Sequence, residues 1–235
     1  MRNLRLAVAG GLALVVGLSY LAFESFYPTY TYRYRLALDV ETPDGSVRSG
    51  SSVVQVSQWR TPSFIIPPDN VEVTVVGEAT PVDLGEGRVL VALLRWEVGP
   101  NFYREPVSLA EIMGIRLTGW RGGTNEGLGQ LTRLRAVREL RPDQLPMLVT
   151  FDDPTRPETV RRVQPDDLAA TFGSGFRLRR AAIELTADAV TLGAIDRGLP
   201  AVRLRRGGSL DGRQITTTNE LGNNLSYNDF RLGGT

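Results

Sequence analysis

The chain contains no histidine, no cysteine and no lysine, and all 27 of its basic residues are arginine. Each absence closes a branch of chemistry. Without an imidazole, neither a Ser-His-Asp nor a Cys-His nucleophile can be assembled. Without a side-chain amine, Ser-Lys dyads, Schiff bases and the phosphate-gripping lysine of a P-loop are excluded. Zinc, haem and iron–sulfur centres draw their ligands largely from His and Cys, so no such cofactor is expected. Carboxylates, hydroxyls, arginine and the backbone remain. They still permit glycoside hydrolysis by two acids, or a calcium or magnesium site. The 27 basic residues almost balance 26 acidic ones, so no global field draws the chain to nucleic acid. With no cysteine, the redox compartment is not legible, although an oxidising space is compatible.

What is there begins with an apolar run. Leu6 to Phe23 (LAVAGGLALVVGLSYLAF) carries no charge. A helix from Leu4 to Phe26 would span about 30 Å of hydrocarbon. Arg2 and Arg5 precede the run, and Tyr20, Phe23, Phe26 and Tyr27 crowd its far end as an aromatic belt would. The positive-inside bias then leaves residues 1–5 in the cytoplasm, with 6–27 as a single-pass inner-membrane anchor. A cleaved signal peptide fits less well. A cut after Ala22 would put bulky Tyr20 where a small residue is needed, and Ala7 to Ala9 lies inside the apolar run. Ala9, Ala13 and Gly17 recur every four residues and share one helix face, the pattern that lets membrane helices approach closely.

The remainder reads as a mixed, β-rich α+β body, mostly antiparallel with a few short helices, over 28–206. Tyr30 to Glu41 alternates strictly, with Tyr30, Tyr32, Tyr34, Leu36, Leu38 and Val40 on one face, as a half-buried strand does. The strand starts almost directly after Pro28 without a Gly/Ser spacer, which predicts a body resting on the membrane surface. Thr42-Pro43-Asp44-Gly45 is a turn, leading to a returning strand near Arg48 to Trp59. Val71 to Val76, Val82 to Leu84, Val89 to Trp96, Leu145 to Phe151 and Val160 to Val163 read as further strands. VLVALL (89–94) has no polar face and is expected to be covered on both sides. Phe176 to Thr186 shifts phase, which predicts a bulge near Arg179-Arg180. Short helices are expected from the Ser108–Glu111 capping box to Gly114, and from Pro165 to Gly173. Gly119 to Gly129 reads as a glycine-rich loop and possible sub-boundary, Leu131 to Leu140 fits helix or strand equally, and 207–235 reads as a polar tail, extended or partly ordered.

The segments YRYRLALDVETPDGSVRSGSSVVQV, PVDLGEGRVLVALL and LPMLVTFDDPTRPETVRRVQPDDLAATFGSGFRLRRAAIELT resemble an uncharacterised proteobacterial family of proteins with an N-terminal hydrophobic segment. The resemblance covers Tyr32 to Thr191, with the Leu210–Gly212 turn. It implies a bacterial envelope protein and carries no activity, cofactor or site residue with it.

Asp152, Asp153 and Glu158 follow a strand and suit a calcium ion or an acid pair, yet their spacing matches no EF-hand. Asp166 and Asp167 serve a helix N-terminus. Gly173-Ser174-Gly175 follows a helix instead of a strand, the wrong order for a dinucleotide loop. Arg161, Arg162, Arg177, Arg179, Arg180, Arg203, Arg205 and Arg206 form a diffuse basic half, with Arg177, Arg179 and Arg180 the surface-binding candidates for anionic lipid, glycan or an acidic partner. Tyr30, Tyr32 and Tyr34 fit partner docking or core packing equally. The expectation is a non-enzymatic single-pass envelope protein with a periplasmic body, a subunit or accessory of a membrane complex. Its partners would be the lipid bilayer and an envelope protein or a second copy. The alternatives are a carboxylate-dependent cell-wall glycan hydrolase and an anionic lipid- or glycan-binding module.

Overall fold

The computed structural model describes residues 2–62, 71–106, 109–117, 119–121, 123–205, 207–214 and 220–233, with the backbone alone for 2–10, 12 and 13. The chain opens with helix α1 (Arg2–Phe26), followed by strands β1 (Tyr30–Glu41), β2 (Val47–Arg60), β3 (Val71–Glu78), β4 (Thr80–Gly85), β5 (Arg88–Ala92), β6 (Trp96–Val98) and β7 (Asn101–Tyr103). Helices α2 (Leu109–Ile112) and α3 (Glu126–Leu131), strands β8 (Val137–Glu139), β9 (Leu148–Phe151) and β10 (Val160–Val163), helix α4 (Leu168–Phe172) and strand β11 (Arg177–Leu185) come next. Helices α5 (Ala194–Gly198), α6 (Pro200–Arg203) and α7 (Leu221–Asn224) and strand β12 (Arg231–Leu232) close the chain. The expected β-rich α+β class with antiparallel sheets and few short helices is what these elements form.

Among the described residues, one sheet runs β12-β3-β2-β1-β11-β8, a second runs β10-β9-β5-β4, and β6-β7 stands as a separate hairpin. The period of two in β1 decides its placement. Tyr32, Tyr34, Leu36, Leu38 and Val40 are buried in the core between the two large sheets. The opposite face carries cross-strand ion pairs, Arg35 with Glu184 at 2.6 Å and Glu41 with Arg177 at 2.7 Å. The β1–β2 turn closes as its residues demand. Gly45 takes φ +80° and donates to the Thr42 carbonyl at 2.9 Å. Asp39 pairs with Arg180 while Val40 pairs with Leu178, so Arg179 is the extra residue of the expected bulge.

Strand β5 and the two residues after it explain the second layer. Leu90, Ala92 and Leu94 enter the first core, whereas Val91 and Leu93 enter a second core on the other face. A run without a polar face is what a strand covered on both sides requires. The cover on the far side is the C-terminal segment. Leu210, Leu225 and Phe230 are fully buried there beside Ile195, Leu199 and Val202. Each such side chain contributes about 1.5–3 kcal/mol by leaving water.

Several expectations change. The tail 207–235, expected to be extended or partly ordered, supplies part of the second core through its described residues, since Ala79 N–H donates to the Phe230 carbonyl at 2.8 Å and Leu94 N–H to the Asp229 carbonyl at 2.8 Å. The second half of the Gly119–Gly129 loop is helix α3. Asn125 caps it by accepting from Leu128 N–H at 3.1 Å, and a Cβ at Gly127 would meet Leu117 at 2.7 Å, so the glycine serves close packing. Leu131 to Leu140 divides into the end of α3 and strand β8. Helix α2 stops at Gly114, which takes φ +74°, while Ser108 of its expected capping box lies outside the described residues. Helix α4 is capped by Asp167, which accepts from Ala170 N–H at 3.0 Å, and Gly173 at φ +102° ends it.

Among the described residues, no helix is long and apolar enough to cross a membrane. The side chains of Ala9 and Ala13 lie outside the described residues, and around Gly17 a Cβ would meet nothing within 4 Å. The end of α1 is tied to the body: a Cβ at Gly123 would collide with the Phe26 carbonyl and Tyr27.

Candidate functional site

A cleft of about 770 Å³ lies where β5 runs on into the β6–β7 hairpin and meets β9, β10 and α7. Its charged lining is four arginines, Arg95, Arg104, Arg161 and Arg162, against two acids, Glu97 and Asp229, and Asn224 and Ser226 add neutral polar groups. Phe102, Met147, Val160 and Leu221 give it an apolar floor. A surplus of two guanidinium groups here contrasts with a chain whose total charge is +1.

Local chain geometry fixes the arginines. Arg95 leaves the buried run of β5, and its carbonyl accepts from Met147 N–H at 2.8 Å. Its guanidinium lies over the Phe102 ring at 3.9 Å and donates to Glu97 at 3.2 Å. Arg104, leaving β7, approaches the same ring at 5.0 Å. Its Nη1 donates to the Leu94 and Asn228 carbonyls, each at 3.2 Å, and to Asp229 Oδ1 at 2.6 Å. Asp229 is the hub. Its side chain is 2% exposed, it accepts from Ser226 N–H at 2.7 Å, and Arg95 stands 3.6 Å away. A buried carboxylate is tolerated when charge-assisted hydrogen bonds satisfy it, and here the same bonds lock two arginines in place. Arg162 pairs with Glu97 from across the cleft, and Arg161 pairs with Asp152 at 2.7 Å.

The basic half expected from the sequence is therefore not one patch. Arg161 and Arg162 reach this cleft. Arg177, Arg179 and Arg180 line a separate recess of about 270 Å³ beside β8 and β11. There Arg180 stands 3.4 Å from Glu139 and 3.9 Å from Asp39. Arg203 faces Asp196 and Arg205 faces Glu158, both at 3.9 Å, and Arg206 lies outside the described residues. Arg95, Arg104 and Asp229 were not among the sequence candidates. The signal that could have found the first two is an arginine beside an aromatic residue, in Arg95-Trp96 and Phe102-Tyr103-Arg104.

The carboxylate candidates serve local structure. Asp153 accepts from Thr155 N–H at 2.9 Å and from its hydroxyl at 2.7 Å, and these bonds hold its carboxyl below the usual aspartate range. Glu158 is bound by Arg156 at 3.0 Å. Among the described residues, no group of three or more acids is placed to hold a metal ion. Tyr32 and Tyr34 are core residues, and burial pushes both phenols well above their usual range. Tyr30 is half-buried, accepts from Asn125 N–H at 2.9 Å and packs on Trp120. Of the choices weighed for the tyrosines, packing is the one found for Tyr32 and Tyr34. A glycan hydrolase needs an acid free to protonate a leaving group and a second carboxylate opposite. Both acids of the large cleft are engaged by guanidinium groups, and Asp229 is sealed from solvent.

No protein family, no curated protein and no solved structure matches the chain.

Proposed function

We propose that the protein is a non-enzymatic, single-pass inner-membrane protein with its β-rich body on the periplasmic side, acting as an accessory or structural subunit of an envelope complex. One observation carries the reading: α1 presents apolar side chains all round. Leu14, Val15, Val16, Leu18 and Leu21 are each at least 58% exposed. Consecutive helical residues project about 100° apart, so Leu14, Val15 and Val16 fan over about 200° and Leu21 falls on the remaining side. A helix apolar on every side needs hydrocarbon or protein around it. The uncharged Leu6–Phe23 run and the two arginines before it support a bilayer and this orientation. The short connection from Phe26 to β1 at Tyr30 keeps the body at the surface. The absence of His, Cys and Lys supports a binding role over a catalytic one.

Membranes from cells expressing the full chain test this reading by alkaline carbonate extraction, followed by mild-detergent purification and mass spectrometry. Retention in the pellet with a stoichiometric envelope partner is expected. Release into the supernatant would defeat the anchor. A clean single species that does not cross-link to itself would defeat the subunit role. Ala9, Ala13 and Gly17 are proposed as the helix-contact face, so Gly17→Ile should lower cross-linking in membranes, and an unchanged pattern removes that contact.

A further inference from the structure

The large cleft combines a cationic rim with an apolar floor, and its guanidinium groups have donors to spare. Among the described residues, Arg104 engages partners through Nη1, Arg162 through Nη2, and Arg95 through Nε and Nη1. Planar guanidinium groups match the paired oxygens of carboxylate and phosphate. Two of them are held before any ligand arrives, Arg95 by Phe102, Glu97 and Asp229, and Arg104 by Asp229 and two carbonyls. Rigid donors lose little freedom on binding. Glu97 lies between Arg95 and Arg162 and accepts from both, so a carboxylate already stands where an incoming oxyanion would. At about 770 Å³ the cleft falls within the size range of small-ligand sites. On its hairpin wall Phe102 is 44% exposed, extending the apolar floor outward.

We propose that this cleft binds an amphiphilic oxyanion, with a phosphate or carboxylate head between Arg95, Arg104 and Arg162 and a short apolar chain on Phe102, Val160 and Leu221. The proposal stands on the cleft alone and does not require α1 to lie in a bilayer. The head can come from a membrane lipid or from a free amphiphile, and the chemistry of the site is the same for both.

The test is calorimetric titration of the full chain, in a non-ionic detergent, with hexyl phosphate and hexanoate, and with hexanol as the neutral control. Saturable binding of at least one anion and none of hexanol is expected. Arg162→Gln, which alters a half-exposed side chain, should weaken binding about ten-fold, the loss of one charge-assisted contact. Glu97→Gln should tighten it by about two- to five-fold, because the resident competitor for two arginines is gone. A purely structural role for these residues predicts no such opposed pair of effects. Competition by phosphatidylglycerol nanodiscs would make a lipid headgroup the source, and lack of competition a free amphiphile. Absence of saturable anion binding, or equal affinities in wild type, Arg162→Gln and Glu97→Gln with unchanged melting temperatures, would overturn the proposal.

Discussion

Replacing Glu78 by alanine should be among the most damaging single changes in the body of the protein. Glu78 ends β3 and is 0% exposed. Its carboxylate accepts from the backbone N–H groups of Gly193, Ala194 at 2.6 Å and Ile195 at 3.1 Å, the first turn of α5. Arg231 stands 3.4 Å away and also pairs with Asp196 at 2.5 Å. One side chain thus joins β3, α5 and β12. Alanine leaves three amides without an acceptor and unbalances a guanidinium only 11% exposed. Removing one partner of a buried pair costs about 3–5 kcal/mol, a large share of the roughly 5–15 kcal/mol that keeps a domain folded. Urea unfolding followed by tryptophan fluorescence measures this as a fall in the midpoint. Glu78→Gln should be nearly as harmful, because its amide nitrogen turns a donor toward backbone donors. A loss below about 1 kcal/mol for Glu78→Ala would refute the argument that this carboxylate organises the C-terminal layer.

Phe230→Ala should cost about 3–5 kcal/mol in the same unfolding assay, because Phe230 is fully buried against Phe151 in the second core; a cost under about 1 kcal/mol would mean that the C-terminal segment only rests on the body. Gly50→Ala should destabilise by about 1–3 kcal/mol, since its Cβ would run into the Pro81 carbonyl where β2 passes β4; an unchanged midpoint would show that the two strands separate easily. Asp44 should titrate at about 2 by NMR, held down first by the Thr42 hydroxyl and then by Ser46. Its depressed folded value means that its contribution is present above the ordinary aspartate value of 3.8 and is lost as pH falls from there through about 2. Glu105 is the opposite case: burial raises its carboxyl, so stability falls as pH rises from the ordinary glutamate value through the raised folded one. Glu105→Gln should therefore gain stability at pH 7 relative to pH 4, and an identical pH profile would refute that.

Much of the fold could be read from the sequence because its rules are local. The alternation of β1, the Thr42–Gly45 turn, the two-faced run at 89–94 and the phase slip at Arg179 each express a period or a backbone requirement within a dozen residues. Failures came where long-range packing overrules local preference. Gly127 and Gly129 argue against a helix, yet the Asn125 cap and contact with Leu117 make one. Leu210, Leu225 and Phe230 are isolated in a glycine- and asparagine-rich stretch with no period to mark them. Their burial depends on partners such as Ala79 and Leu94, more than 100 residues earlier. The same reason hid the cleft. Asp229 organises it by gripping Arg104, 125 positions away, and no local motif announces such a pair.

The all-arginine composition takes on meaning when pairing is followed through the structure. On the outer face of the first sheet, Arg35, Arg177 and Arg180 each face a cross-strand acid. Exposed pairs of this kind contribute about 0–1 kcal/mol each and set register more than stability. In the second layer, Arg231 answers Glu78 and Asp196, and Arg203 stands 3.9 Å from Asp196, so two acids meet two cations. The lining of the cleft departs from that parity, with four cations to two acids, and Arg161 turns to Asp152 outside it. Counting Asp152, three acids answer the four guanidinium groups, so one positive charge is in excess at this concave place. Because guanidinium does not lose its proton in the neutral range, that surplus cannot be titrated away. An anion held there would feel the same field at pH 6 and at pH 9, so the affinity of a carboxylate should track ionic strength and stay flat with pH, whereas a phosphate monoester should bind more tightly as it loses its second proton at about pH 6.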